Sequence, residues 1–292
     1  MSWRIVIVTR IPPVLQGFDE AIRELGHKPV AFLTMLDHDN RFGRESWNMD
    51  LVMGAGRDLD VLLPARRSSL APLLQAVRPD LVVCFGFPWK IPADALAVPT
   101  LGWINCHPSL LPKHRGPIPI AWAIRAGDDE IGVTWHRMDA ELDTGPILAQ
   151  RTAPLGDLEA PDVFYPRLGP LYVESLVEAL ERLASGEEGT MQDGGSYESF
   201  FTADDEWLDL SRPAEELHRL AWSWRYAAAL DGSRGALLEL GGVPVRVLTT
   251  SLTEVAGATR VECGDAPLWI VATEELSEAE ATRSSAPAPS TR

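Results

Sequence analysis

With 292 residues, 46% of them hydrophobic and 23% charged, the chain can bury a large core and has room for two domains. Its net charge of −16 weighs against a large nucleic-acid partner, since such partners are held by clustered Lys and Arg on their phosphates. No apolar run approaches the roughly 20 residues that a membrane span needs. The three cysteines, Cys84, Cys106 and Cys263, are too scattered for a disulfide framework or a zinc site, so a reducing, cytoplasmic setting is expected.

Arg4–Thr9 is a β-branched run that predicts a first strand, and Leu15–Leu25 an amphipathic helix ended by Gly26. Pro29–Thr34 predicts a second strand. Asp37–Asp58 is polar, with Gly43, Gly54 and Gly56, and reads as a long loop or a poorly formed helix. Gly54-Ala55-Gly56 lacks the third glycine of a dinucleotide fingerprint, because Leu59 holds that position; nicotinamide binding is not supported. Asp60–Leu63 and Asp80–Phe85 predict further strands, separated by a helix over Leu70–Val77. Leu101–Cys106 predicts a short strand, followed by a Pro- and Gly-rich loop, 108–117, and a helix over Ile120–Ala126 that stops at Gly127. Ile131–Met138 and Pro146–Arg151 predict two more strands, and Pro161–Ala184 a closing helix. This alternation predicts an α/β fold with a doubly wound, mostly parallel sheet over residues 1–188.

Residues 189–204, rich in Gly, Glu, Asp and Ser, read as a linker. The second domain, 205–276, begins with a helix over Pro213–Trp222 capped by Ser211, with Trp222 and Trp224 expected in a core or at a domain interface. Strands are predicted over Ala236–Leu240, Val243–Thr249, Thr259–Cys263 and Leu268–Thr273, with Gly241-Gly242 as a hairpin turn. A smaller, β-rich, barrel-like domain is the expectation. The Ser-, Ala- and Pro-rich tail, 277–292, is expected to be disordered.

The chemistry concentrates in Asn105-Cys106-His107-Pro108-Ser109-Leu110-Leu111-Pro112 and in Asp139-Ala140-Glu141-Leu142-Asp143-Thr144-Gly145. Side chains two apart on a strand share a face, so Asn105 and His107 should point together while Cys106 turns away. They fall at the carboxyl end of a strand, where open α/β sheets place ligands. An amide donor beside an imidazole suits acyl transfer: the amide can hold a developing oxyanion while the imidazole moves a proton. Asp143 would orient His107 and raise its affinity for a proton. Bland readings stand beside these: Asn105 also fits a strand-end turn former, and Asp-Thr-Gly is common turn chemistry. His136 should share a strand face with Thr134 and Met138 and reads mainly as structural. His114 and Arg115 read as loop residues at the surface or gating a substrate. Ser109 lacks the Gly-x-Ser-x-Gly elbow of a nucleophile, and the histidines lack metal-ligand spacing.

Taken in order, Asn105-x-His107-Pro108-Ser109-Leu110-Leu111-Pro112, Arg115-Gly116, Gly132-Val133-Thr134 and Leu142-Asp143-Thr144-Gly145-Pro146-Ile147-Leu148 make the chain resemble the folate-dependent formyltransferases. That family includes methionyl-tRNA formyltransferase and small-molecule N-formyltransferases. The resemblance is strongest from Asp80 to Gln150 and continues more weakly in Leu210–Leu220. It implies Asn105, His107 and Asp143 as catalytic residues, with either His107 or Asp143 taking the amine proton. It implies Ser109, Leu110, Leu111 and Pro112 as a folate-site loop. Phe85, Gly86, Phe87, Glu141 and Leu142 would line the pterin pocket, partly through backbone groups. The implied co-substrate is 10-formyltetrahydrofolate, with no metal.

Charge bears on the acceptor amine. From Asp205 to Glu275 six arginines face twelve acids, where a tRNA-binding domain should be basic. The expected acceptor is therefore a small or carrier-bound primary amine, such as an amino sugar nucleotide, an amino acid or a specialised metabolite. Initiator tRNA is the alternative, and a non-catalytic folate-binding or scaffold protein is the alternative of another class.

Overall fold

The computed structural model describes residues 1–35, 59–231, 235–277 and 280. The loop expected over Asp37–Asp58 and nearly all of the expected disordered tail lie outside the described residues. The chain divides into two compact units, one of residues 1–119 with 129–198 and the other of 120–128 with 199–292. The segment expected as a linker, 189–204, is thus shared between them.

The first unit is built on seven strands: β1 (Arg4–Thr9), β2 (Lys28–Leu33), β3 (Asp60–Leu62), β4 (Leu81–Phe85), β5 (Trp103–His107), β6 (Glu130–Arg137) and β7 (Ile147–Pro154). Their order across the sheet is β3-β2-β1-β4-β5-β6-β7. The first five are parallel, and β6 runs antiparallel to both of its neighbours. β1 and β4 are near-continuous buried runs of Ile, Val and Leu because both faces of a central parallel strand are covered. On one face Val6, Val8, Leu33 and Val82 pack with Leu70 and Leu74 of α2 (Leu70–Val77) and Ala95 of α3 (Ala93–Leu96). On the other face the rings of Phe18 in α1 (Pro12–Glu24) and Trp135 in β6 lie 5.3 Å apart, and those of Phe85 and Tyr172 4.6 Å apart. The sheet is doubly wound and mostly parallel, as the alternation of elements requires.

Two of the helices expected in the first unit differ from expectation. α1 begins at Pro12, three residues before Leu15, because prolines at its first two positions lack N–H groups that would have no partner there anyway. The single helix expected over Pro161–Ala184 is two, α5 (Pro161–Arg167) and α6 (Gly169–Ala184). Pro170 accounts for the break: it has no N–H for the carbonyl of residue 166, and its ring would collide with that carbonyl.

The second unit packs a long helix, α7 (Ala214–Asp231), on a curled antiparallel sheet of β8 (Ala236–Leu240), β9 (Val243–Ser251), β10 (Thr259–Glu262) and β11 (Pro267–Glu275) in the order β10-β11-β9-β8. Leu217, Leu220, Ala221 and Trp224 meet Leu238, Val247, Leu268 and Ile270 in its core. Trp222 and Trp224 are both buried, their indole N–H groups donating to the carbonyls of Thr250 (3.3 Å) and Asp205 (2.9 Å). Residues 120–128 bring nearly all of α4 (Pro119–Ala126) into this unit, where the Trp122 indole donates to the Ser199 carbonyl (2.8 Å) and Arg125 pairs with Asp205 (2.5 Å). Among the described residues no helix is long and apolar enough to cross a membrane.

The start of α7 is satisfied from a distance. The Ala214 N–H donates to Asp265 Oδ1 (2.8 Å) in the β10–β11 turn, and Asp265 fills the role expected of Ser211. Asp265→Ala should therefore lower stability by about 1 kcal/mol in urea unfolding, while Ser211→Ala should change it by less than about 0.5 kcal/mol. Equal losses in the two variants would contradict this assignment.

Candidate active site

The carboxyl ends of β4 and β5 lie side by side, Cys84 opposite Asn105 and Phe85 opposite Cys106. Asn105 and His107 project from one face of β5, and the antiparallel register sets His136 of β6 across from Asn105 and Thr134 across from His107. The turn between β6 and β7 brings Asp143 to the same place. It is shaped by Asp139, whose Oδ1 accepts the Glu141 N–H (2.9 Å) and the Thr144 hydroxyl (2.8 Å). Asp143 itself adopts a left-handed backbone, φ +58°.

Hydrogen bonds to backbone carbonyls fix both imidazoles. His107 Nε2 lies 2.8 Å from the His114 carbonyl oxygen, and a carbonyl only accepts, so Nε2 carries the hydrogen. In the neutral ring the lone pair is then on Nδ1, 3.6 Å from Asp143 Oδ2. His136 has the opposite arrangement: Nδ1 donates to the Arg137 carbonyl (2.9 Å), and Nε2 accepts from the Asn105 amide nitrogen (3.2 Å). His136 Nε2 is also 3.6 Å from Asp143 Oδ1, so one carboxylate lies between two rings. Gly116 N–H donates to Asp143 Oδ2 at 3.0 Å.

Electrostatics follow from this geometry. Burial acts most strongly on His107 and pulls its pKa down; the Asp143 carboxylate and the His114 carbonyl push it back up, without restoring the ordinary value. Asp143 does raise the proton affinity of His107, as expected, but desolvation outweighs it and favours the neutral ring. For Asp143, burial raises the pKa. The His107 and His136 rings, in their protonated forms, and the Gly116 N–H together outweigh it and hold the carboxyl at about 2. Cys84 shares the Asn105 face, but burial pushes its thiol up to about 12, so it offers no thiolate.

The loop after β5 is clamped to the sheet. Thr134 Oγ1 donates to the Ser109 carbonyl (2.6 Å) and accepts the Leu111 N–H (3.3 Å), while Gln150 Nε2 donates to the Leu111 carbonyl (3.0 Å) and to Thr134 Oγ1 (2.8 Å). Gly132 lets Leu110 lie against the strand, since a Cβ there would come within 2.4 Å of the leucine side chain. Gly116, at φ +124°, has the Glu198 carbonyl where a side chain would stand. Arg115 and His114 are held by Gln192 and Glu198 from the segment that follows α6.

The residues expected at the site divide into two groups. Asn105, His107 and Asp143 are brought together. Gly86, Phe87, Glu141 and Leu142 sit on the two loops flanking them, with Lys90 reaching Glu141 at 3.4 Å. Ser109 and Leu111 are buried, the Ser109 hydroxyl donates to the Lys113 carbonyl (2.7 Å), and Pro112 follows a cis peptide bond. The Ser109 hydroxyl and the ring of Phe85, which packs against Tyr172, thus have partners within the protein. His136, read mainly as structural, is in direct contact with Asn105. Among the described residues no group of three or more His, Cys, Asp or Glu is placed to hold a metal ion.

An amide donor, an imidazole and an anchored carboxylate thus meet at the carboxyl edge of a doubly wound sheet, an arrangement chemically able to work at a carbonyl carbon. The sequence matches the family described as Formyl transferase over residues 6–180. It is 36% identical to a Methionyl-tRNA formyltransferase of Halorhodospira halophila over 253 residues, 85% of this chain and 79% of that protein. Solved structures share the fold. HypX from Aquifex aeolicus in complex with tetrahydrofolic acid has a TM-score of 0.65 at 19% identity, covering 95% of this chain; the chain spans only 45% of HypX. A 4-N formyltransferase from Francisella tularensis has a TM-score of 0.62 at 21% identity, covering 87% of this chain and 99% of that one. The chain belongs to the folate-dependent formyltransferase family.

Asp143→Asn removes the carboxylate that opposes desolvation at His107. The His107 ring should then titrate at a still lower pH, read by NMR of the labelled imidazole nitrogens. A titration midpoint that stays put or rises would show that Asp143 exerts no such field.

Proposed function

We propose that this protein transfers the formyl group of 10-formyltetrahydrofolate to a primary amine. The observation that carries the reading is the tautomer of His107: its Nδ1 lone pair lies beside an anchored carboxylate and on the same strand face as the Asn105 amide. The amine nitrogen attacks the formyl carbon, and the carbonyl oxygen becomes an oxyanion held by the Asn105 N–H that His136 does not use. His107 Nδ1 takes the proton from the amine, and Asp143 stabilises the imidazolium. The carbon–nitrogen bond to the folate breaks as that proton is delivered to the leaving nitrogen, giving the formamide and tetrahydrofolate. Backbone groups of Gly86, Phe87, Glu141 and Leu142 would hold the pterin.

For the acceptor we favour a small or carrier-bound amine. The described arginines between 205 and 275 have intramolecular partners: Arg212 with Glu216, Arg219 with Glu215, Arg246 with Glu274 and Glu280, and Arg260 with Glu262. Arg225 lies over the Trp222 ring and donates to Thr249 Oγ1. Cations already paired with carboxylates gain little by binding a phosphate backbone. Initiator tRNA is the second reading, favoured by the likeness to proteins named Methionyl-tRNA formyltransferase.

The test supplies 10-formyltetrahydrofolate with charged initiator tRNA or with a panel of small amines, and follows tetrahydrofolate release. Release with a small amine alone supports the favoured acceptor, release with tRNA alone replaces it, and folate binding without turnover in every case supports a scaffold. His107→Ala should lower kcat by about 10²- to 10⁴-fold and Asn105→Ala by about 10²- to 10³-fold. Turnover within a few-fold of the parent in either variant would remove that residue from the mechanism.

A further inference from the structure

The segment after α6 reads from composition as a linker, yet its side chains bond to both of the loops around His107. Thr190 and Ile147 exchange backbone hydrogen bonds of 2.8 and 2.9 Å, which seats the start of the segment beside β7. At its far end the Glu198 N–H donates to the Arg115 carbonyl (2.8 Å), and the Glu198 carboxylate meets His114 Nδ1 (2.8 Å). Between these ends lies Gln192. Its Oε1 accepts from Arg115 Nε (3.1 Å) and Nη2 (2.8 Å), and its Nε2 donates to the carbonyls of Asp143 (2.9 Å) and Gly145 (2.8 Å). Both hydrogens and both lone pairs of the amide are used, which fixes its orientation without ambiguity.

The two loops that Gln192 joins supply the two groups that define His107. The loop of Arg115 presents the His114 carbonyl, which holds Nε2–H. The loop of Asp143 presents the carboxylate facing Nδ1. His114 has a left-handed backbone at φ +56° and Asp143 one at φ +58°, a conformation uncommon outside glycine that His and Asp adopt more readily than most residues. Gln192 contacts both loops at once, accepting from the Arg115 side chain and donating to the Asp143 and Gly145 carbonyls, and it can do so only with one end accepting and the other donating.

We propose that Gln192 is a positioning residue for formyl transfer, setting the distance between the Asp143 carboxylate and His107 Nδ1 by tying Arg115 to the Asp143–Gly145 turn. The proposal rests on the functional reading above for its kinetic consequence, but not for its structural one. Without the tie the turn relaxes, Asp143 moves away from Nδ1, and the imidazolium formed during transfer loses its counter-charge. Gln192→Met keeps the length and loses all four hydrogen bonds. Gln192→Glu keeps the acceptor for Arg115 but sets a second acceptor against two carbonyl oxygens, so it should behave no better than Met.

The experiment has two arms on the full chain. In the first, the His107 imidazole is titrated by NMR in the free protein. Gln192→Met should lower its midpoint, in the direction of Asp143→Asn, and a midpoint equal to the parent's would overturn the proposal; Gln192→Glu, which brings a carboxylate of its own, is read through kcat. In the second, formyl transfer is measured with the acceptor that the parent protein uses. kcat should fall by about 10- to 100-fold with KM for both substrates within a few-fold, and the acid limb of the Gln192→Met rate profile should move to lower pH. A Gln192→Glu variant with parental kcat would overturn it, because the donors to Asp143 and Gly145 would then be dispensable. A purely structural residue would lower the melting temperature and leave the titration and the limb in place. If Gln192→Met does not fold, Gln192→Asn, one methylene shorter, is read in both arms by the same criteria. A parent protein that transfers no formyl group overturns the functional reading, while the titration arm still decides the role of Gln192.

Discussion

The hydrogen bond from His107 Nε2 to the His114 carbonyl decides what this site can do. A carbonyl has no proton to give, so the bond assigns the ring hydrogen and leaves the other nitrogen basic. For the carbonyl to reach the ring, the chain must turn back sharply after β5, and His114 takes a left-handed conformation to do so. That turn holds because Thr134 and Gln150 grip the loop from the sheet and Glu198 grips it from the other side. The same turn delivers the Gly116 N–H to Asp143, so one loop orients the base and steadies its counter-ion.

Burial has two opposed effects here. It disfavours charge on His107, which keeps the ring neutral and able to take a proton. It also strengthens the polar interactions around the ring, because Asp143 and the Asn105 amide are themselves partly withdrawn from solvent. The Asp143 carboxyl is nonetheless held well below the usual carboxylate range, the Gly116 N–H being one of the groups that favour its ionised form.

Much of the first unit was legible from local pattern. The runs at Arg4–Thr9 and at Leu81–Phe85 are hydrophobic without alternation because both faces of those strands are covered, and such runs read as strands from sequence alone. The pairing of Asn105 with His107 follows from the two-residue period of a strand. Asp143 was legible through family resemblance, since nothing local says that a turn 36 residues later returns to the same strand end. His136 needed the register between β5 and β6 to be seen opposite Asn105. Gln192 and Glu198 were hidden by their neighbours: Gly, Ser and acidic residues look like a linker, and no local period marks a segment ordered by distant loops. The cap on α7 was misplaced for a similar reason, as Asp265 lies 51 residues from the amide it accepts.

The membership of residues 120–128 in the second unit bears on how the chain can be rearranged. Trp122 and Arg125 find partners at Ser199, Phe201 and Asp205, more than 70 residues further along the chain. The second unit is therefore discontinuous in sequence, and its inserted helix starts directly after the loop that orients His107. Exchange of the C-terminal half between relatives by a single crossover would strand that helix with a foreign partner. A lineage that acquires a new second unit must also remodel α4 to suit it, which places the chain's most local catalytic loop next to its most context-dependent helix.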